Sequence, residues 1–216
     1  MCGNMSPFRY FFADIRPIIM KDPLAEFLGA YEHHNAYLEY TFDEVVKMTG
    51  HACPTVASAF VCCKKALGHL YMGEIPNRGN ISVTLHSAPD ERNAGVIGQI
   101  FGFVTGACGD NGFKGLDGKF RRNGLLSYAP NGAGGAADGF TFARLDNGKK
   151  VHASILSANF PAIPGQEEIP ALMDKALKGI ANHDEGHKFQ DLWMEKVKAI
   201  VLEERNVEAW LVINPA

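Results

Sequence analysis

A glycine and a proline four residues apart, Gly50 and Pro54, constrain this chain more than any longer stretch of it. Gly50 closes one run of helix-forming residues and Pro54 opens the next, within Met48-Thr49-Gly50-His51-Ala52-Cys53-Pro54-Thr55. Glycine tolerates the left-handed backbone that ends a helix. Proline is favoured at the first helical position, where its missing N–H would be unbonded anyway. The turn between them carries His51 and Cys53. Cys53 falls at the positive end of a helix dipole, which favours thiolate over thiol.

Hydrophobic periodicity extends outward from that hinge. Upstream, Thr41 and Glu44 have the spacing of a capping box for a helix carrying Val45, Val46 and Met48. Downstream, Val56, Ala59, Phe60, Cys63 and Leu67 share one face of a helix from Pro54 to about Gly68. An earlier helix is predicted from Asp22-Pro23 through Leu24, Phe27, Leu28, Tyr31 and Leu38, carrying His33 and His34. Residues 1–22 are aromatic and apolar without a clean period and read as an arm over a core or a neighbouring protomer. Ile81, Val83 and Leu85 alternate with polar residues as a half-buried strand that ends near His86. A helix over 91–105 then leads to Cys108 and a glycine-rich loop.

Phe140, Phe142, the turn Asp146-Asn147-Gly148, and Val151, Ala153 and Ile155 read as a hairpin, with His152 on the face opposite Val151. Two amphipathic helices follow, and 209–213 reads as a short strand. Helices interleaved with strand pairs predict an α+β fold, a mixed or antiparallel sheet packed with helices, in one domain spanning 1–216.

Composition narrows the function classes. With 216 residues, 46% apolar and 21% charged, the chain can build a sizeable core without staples. Its net charge of -3 is scattered, so no basic stripe points to nucleic acid and no Lys/Arg block to an anionic membrane. No apolar run approaches the roughly 18 residues of a membrane span, and no secretory signal pattern opens the sequence. Five cysteines, two of them adjacent at 62 and 63, make a poor disulfide framework and predict a reducing, cytoplasmic setting. Cys62 and Cys63 read as core thiols.

Two other motifs carry less. Gly118-Lys119 suggests a phosphate loop, but Phe113 and Phe120 occupy positions such a loop reserves for glycine and Ser/Thr. Lys114, Lys119, Arg121 and Arg122 read as a solvated loop. His183-Asp184-Glu185-Gly186-His187 matches no zinc-helix spacing and reads as an inter-helix connection, with Asp184 a candidate N-cap.

Gly50-His51-Ala52-Cys53-Pro54, the small-residue helix after it, Thr105-Gly106-Ala107-Cys108 and Gly118-Lys119-Phe120-Arg121 together resemble the FmdE-like family of formylmethanofuran dehydrogenase proteins over roughly residues 45–156. The resemblance implies an α+β core, often dimeric; the chain then divides into a core of about 23–156, an N-terminal arm (1–22) and a C-terminal helical extension (165–216). The resemblance also implies His and Cys side chains lining a cleft that holds a metal. The sequence departs from the family pattern at Thr49, where a histidine is usual, at the added Ala107, and at Asn93 and Ala94, where a cysteine is expected. It also lacks the paired-cysteine zinc finger.

Three functions follow. The first is a metal-binding protein, extending to a metal-dependent enzyme on a small substrate. His51, Cys53 and Cys108 would ligate zinc or another thiophilic divalent metal, with His86 as a fourth donor. The second is a thiol redox or nucleophilic enzyme, with Cys53 as catalytic thiolate and His51 lowering its pKa. The third is a non-catalytic cofactor-binding module, such as a haem protein. A homodimer acting on a small molecule is the expected partnership.

Overall fold

The computed structural model describes residues 7–33, 36–130, 139–202 and 206–216. Cys2, His34 and most of the Gly/Ala-rich stretch at 129–139 lie outside the described residues.

In chain order the elements are β1 (Ile18–Met20), α1 (Pro23–Phe27), β2 (Leu38–Tyr40), α2 (Phe42–Thr49), α3 (Pro54–Tyr71), β3 (Ile81–Leu85), α4 (Ala94–Thr105), β4 (Leu126–Tyr128), β5 (Phe140–Arg144), β6 (Lys150–Ile155), α5 (Ile169–Leu177), α6 (His183–Leu202), α7 (Val207–Trp210) and β7 (Leu211–Pro215). The fold is α+β. A five-stranded sheet runs in the order β4-β3-β5-β6-β7, and β1 pairs with β2 in a separate ribbon. β3 and β4 are parallel, and the remaining pairs are antiparallel.

Successive strand side chains point to opposite faces, and that alternation sorts the sheet. Val83, Leu85, Phe140, Phe142, Val151 and Ala153 are buried on the core face. Thr84, Thr141, His152 and Ser154 alternate with them on the other. α3 lies against the core face, touching β5 and β6 as well as α4 and α6. Its Ala57, Ser58, Ala59, Cys62, Cys63 and Ala66 are all buried, and small residues of this kind let neighbouring helices approach closely. Burial pushes the Cys62 and Cys63 thiols well above their ordinary value, so both are inert members of the core.

The termini of the helices follow local chemistry. The Thr41/Glu44 capping box forms, and Gly50 and Gly106 both adopt the left-handed conformation as helix ends. α1 is much shorter than its periodicity predicts. Leu28 ends it, Gly29 turns with φ 71, and Leu38 belongs to β2. Phe27 and Leu28 are exposed, so no apolar surface supports a continued helix there.

Described residues near both ends of the chain pack into the main body. Phe11 and Phe12 join the core, with Phe12 edge-on to Phe42. β7 completes the central sheet beside β6, and α6 packs on α3. No helix of the described residues is long and apolar enough to cross a membrane.

Candidate functional site

Pro54 opens α3 as expected, and Cys53 is its N-cap. The Cys53 Sγ accepts the Val56 N–H at 3.5 Å, using one of the amides that a helix start leaves unbonded. His51 is exposed, and its Nδ1 bonds the Thr49 carbonyl at 3.0 Å. The turn is pinned from outside: Trp193 of α6 donates from Nε1 to the Ala52 carbonyl at 2.9 Å. The Asn93 side chain, at the head of α4, donates to Thr55 Oγ1 at 3.1 Å. The N-terminal ends of α3 and α4 therefore meet.

A cleft of about 360 Å³ opens at this shared pole. Thr55 and Ser58 line it from α3, Arg92 and Asn93 from the head of α4, and His86 and Ser154 from the sheet. Arg92 sits at φ 49, a left-handed conformation that ordinary side chains rarely adopt and that concentrates at functional sites.

His86 and Ser154 are the two ends of a hydrogen-bonded run. His86 Nε2 meets Thr141 Oγ1 at 2.8 Å. Thr141 Oγ1 meets His152 Nδ1 at 3.5 Å, the longest link, and His152 Nε2 meets Ser154 Oγ at 3.2 Å. The hairpin builds this run directly, because Thr141 is the register partner of His152 and Ser154 follows two residues on, on the same face. Gly139 makes room for it: a Cβ there would stand 2.8 Å from both His152 Nε2 and Ser154 Oγ.

The His86 Nδ1 is buried without a partner among the described residues. Burial, reinforced by His152 with its ring 5.4 Å away, pulls the His86 imidazole below its ordinary value. The run is self-consistent in either direction. Ser154 can donate to His152, His152 to Thr141 and Thr141 to His86, or each bond can reverse, so a proton arriving at one end can be released at the other.

Cys108 stands elsewhere. It follows the C-terminal end of α4, where its N–H donates to the Arg122 carbonyl and its own carbonyl accepts from Leu125 and Leu126. The twelve residues of α4 separate that end from Asn93 and Thr55, roughly 18 Å at the α-helical rise. The four-donor metal centre of His51, Cys53, Cys108 and His86 is therefore not assembled. His51, Cys53 and His86 share the pole; Cys108 does not. Among the described residues no three His, Cys, Asp or Glu side chains group to hold a metal, and the donor set implied by the family resemblance does not fit here.

Arg122 is likewise no solvated loop cation. It is buried, and its Nη2 donates to Asp22 Oδ1 at 2.7 Å. Sequence periodicity does place His152 on the polar face of β6, with Ser154 two residues on along the same face, but spacing alone does not pair it with Thr141. The hairpin register was the signal that could have done so.

Comparison with known proteins adds no relative: no family model matches the chain, and no curated protein matches it.

Proposed function

We propose that this chain is a protein of the FmdE-like type that binds a small anionic molecule in the cleft at the heads of α3 and α4. On this reading it moves a proton on that molecule through His86, Thr141, His152 and Ser154. The observation that carries the proposal is the run itself, whose two ends line one cavity. An imidazole with one nitrogen fixed by a hydroxyl and a lowered pKa remains a neutral acid–base group near physiological pH. Two helix N-termini and Arg92 favour negative charge in the cleft, and Glu91 on its wall restricts where that charge can sit.

The test is a thermal-shift panel of small carboxylates and phosphates on wild type, on His86→Gln and on Ser58→Leu, which fills the cleft. The reading expects at least one ligand that stabilises wild type, does so less in His86→Gln, and not at all in Ser58→Leu. A ligand that stabilises Ser58→Leu as well as wild type, or a panel without any hit, would count against it.

A second reading has one observation in its favour. The Cys53 Sγ accepts an amide N–H from the helix it caps, and a half-buried thiol held at a helix head is placed to act as a nucleophilic or redox group. His51 is turned to Thr49 instead of to Cys53, so this reading gives the imidazole no part in the chemistry of the thiol. Iodoacetamide labelling tests it: this reading expects Cys53 to be modified in the native protein ahead of the buried Cys62 and Cys63, and His51→Gln to leave its labelling rate unchanged.

A further inference from the structure

The segment His183-Asp184-Glu185-Gly186-His187 is not an inter-helix connection. His183 is the first residue of α6, so its two histidines stand four apart on one helix face. Their Nε2 atoms lie 3.2 Å from each other, with ring centroids 4.4 Å apart, and both side chains are exposed. We propose that His183 and His187 form a two-imidazole site for a divalent transition-metal ion such as zinc, nickel or copper, with water filling the remaining positions.

The spacing carries the assignment. Two nitrogens each about 2.0–2.1 Å from one metal, across an angle between octahedral and tetrahedral, stand roughly 2.9–3.4 Å apart. The observed separation falls in that interval. Without metal, one Nε2–H donates to the other Nε2; a metal ion replaces the shared proton after a small rotation of two exposed rings. Asp184 Oδ1 lies 3.5 Å from His183 Nδ1. That carboxylate adds negative charge beside the pair, and the two Nε2 atoms that face each other are the atoms available to a metal.

The surrounding charge is mixed. A helix N-terminus disfavours a cation, but Asp184 and Glu185 occupy the same first turn. Glu185 is paired with Lys175, and Lys188 with Glu168, so neither lysine is left as a lone opposing charge. Imidazole donors suit zinc, nickel and copper, whereas magnesium and calcium require oxygen. With no third protein donor among the described residues, the site is an open one with exchangeable ligands, unlike a closed structural zinc centre.

Titration calorimetry of the untagged full chain with nickel chloride, then zinc chloride, tests this. The expected result is one ion per chain, with binding at least tenfold weaker in His183→Gln and in His187→Gln and unchanged in His86→Gln. Both substitutions are at exposed positions, and circular dichroism checks that the variants keep their fold. No saturable uptake by wild type, or uptake that survives in the double variant, would overturn the proposal.

Discussion

The His86 ring has a hydroxyl partner at Nε2 and a buried Nδ1 with no partner among the described residues. Protonating it places a charge where burial and His152 both oppose it, so its folded value lies below the ordinary imidazole value. Between that lowered value and about 6.5, the unfolded chain binds the proton more readily than the folded one. Stability is therefore lost as pH falls through that window. Melting temperatures measured from about pH 7 down to about pH 5 should fall more steeply for wild type than for His86→Gln. Parallel slopes would show that the ring titrates as freely folded as unfolded. Single residues were legible in the sequence where their signal is local. Cys53 could be placed at a helix head because Gly50 and Pro54 are its neighbours. Cys108 could not be placed against it, because which end of α4 faces which end of α3 is decided by the path of the chain through the sheet.

Elements whose ends carry their own chemistry were equally readable. α2 has its capping box and left-handed glycine, and the β5–β6 hairpin turns where Asp146-Asn147-Gly148 predicts. α1 failed because periodicity supplies a face without supplying something to bury it against. What holds α1 is a residue no periodicity reveals. Asp22 caps it through Leu24 and Ala25 and, 6% exposed, also takes Arg78 at 2.9 Å and Arg122 at 2.7 Å. Arg78 in turn donates to the Phe103 and Val104 carbonyls near the end of α4. The pair of guanidiniums ties β1, α1 and the Cys108 loop to one carboxylate. Arg122 also fills the space beside Gly79 and Gly106, where a Cβ would stand 2.3 and 2.5 Å from its Nη1. Asp22→Ala leaves both cations without their carboxylate and removes the cap. The expected cost is about 3 kcal/mol, the low end for breaking a buried pair because Arg78 retains water contact. Urea unfolding of the variant measures it, and a loss below about 1 kcal/mol would mean that the cluster behaves as a surface pair.

At the scale of the whole molecule, the sequence divides into a core ending near residue 156 and helices after it, and in the structure α6 and α7 pack into the same core. Sequence patterning finds α5 and α6 because each has an apolar stripe, but a stripe does not say which surface it covers. For α6 that surface is α3, the same helix whose head carries Cys53. α6 reaches the turn before that head through Trp193 and Ala52, and β7 closes the sheet edge beside β6, the strand that bears His152 and Ser154. Between them, Trp210 is fully buried and stands edge-on to Phe160 at 5.3 Å. If the C-terminal third were a separate layer, its loss would leave a melting core behind. Because it is one core, Trp210→Ala should destabilise the entire chain by about 3–5 kcal/mol, the cost of emptying a buried aromatic site. The loss should appear in a single transition. Near-ultraviolet and far-ultraviolet dichroism followed through the same guanidinium titration should coincide for wild type and variant alike. A C-terminal phase that melts ahead of the rest would show that α6 and β7 form a layer of their own, separable from the core.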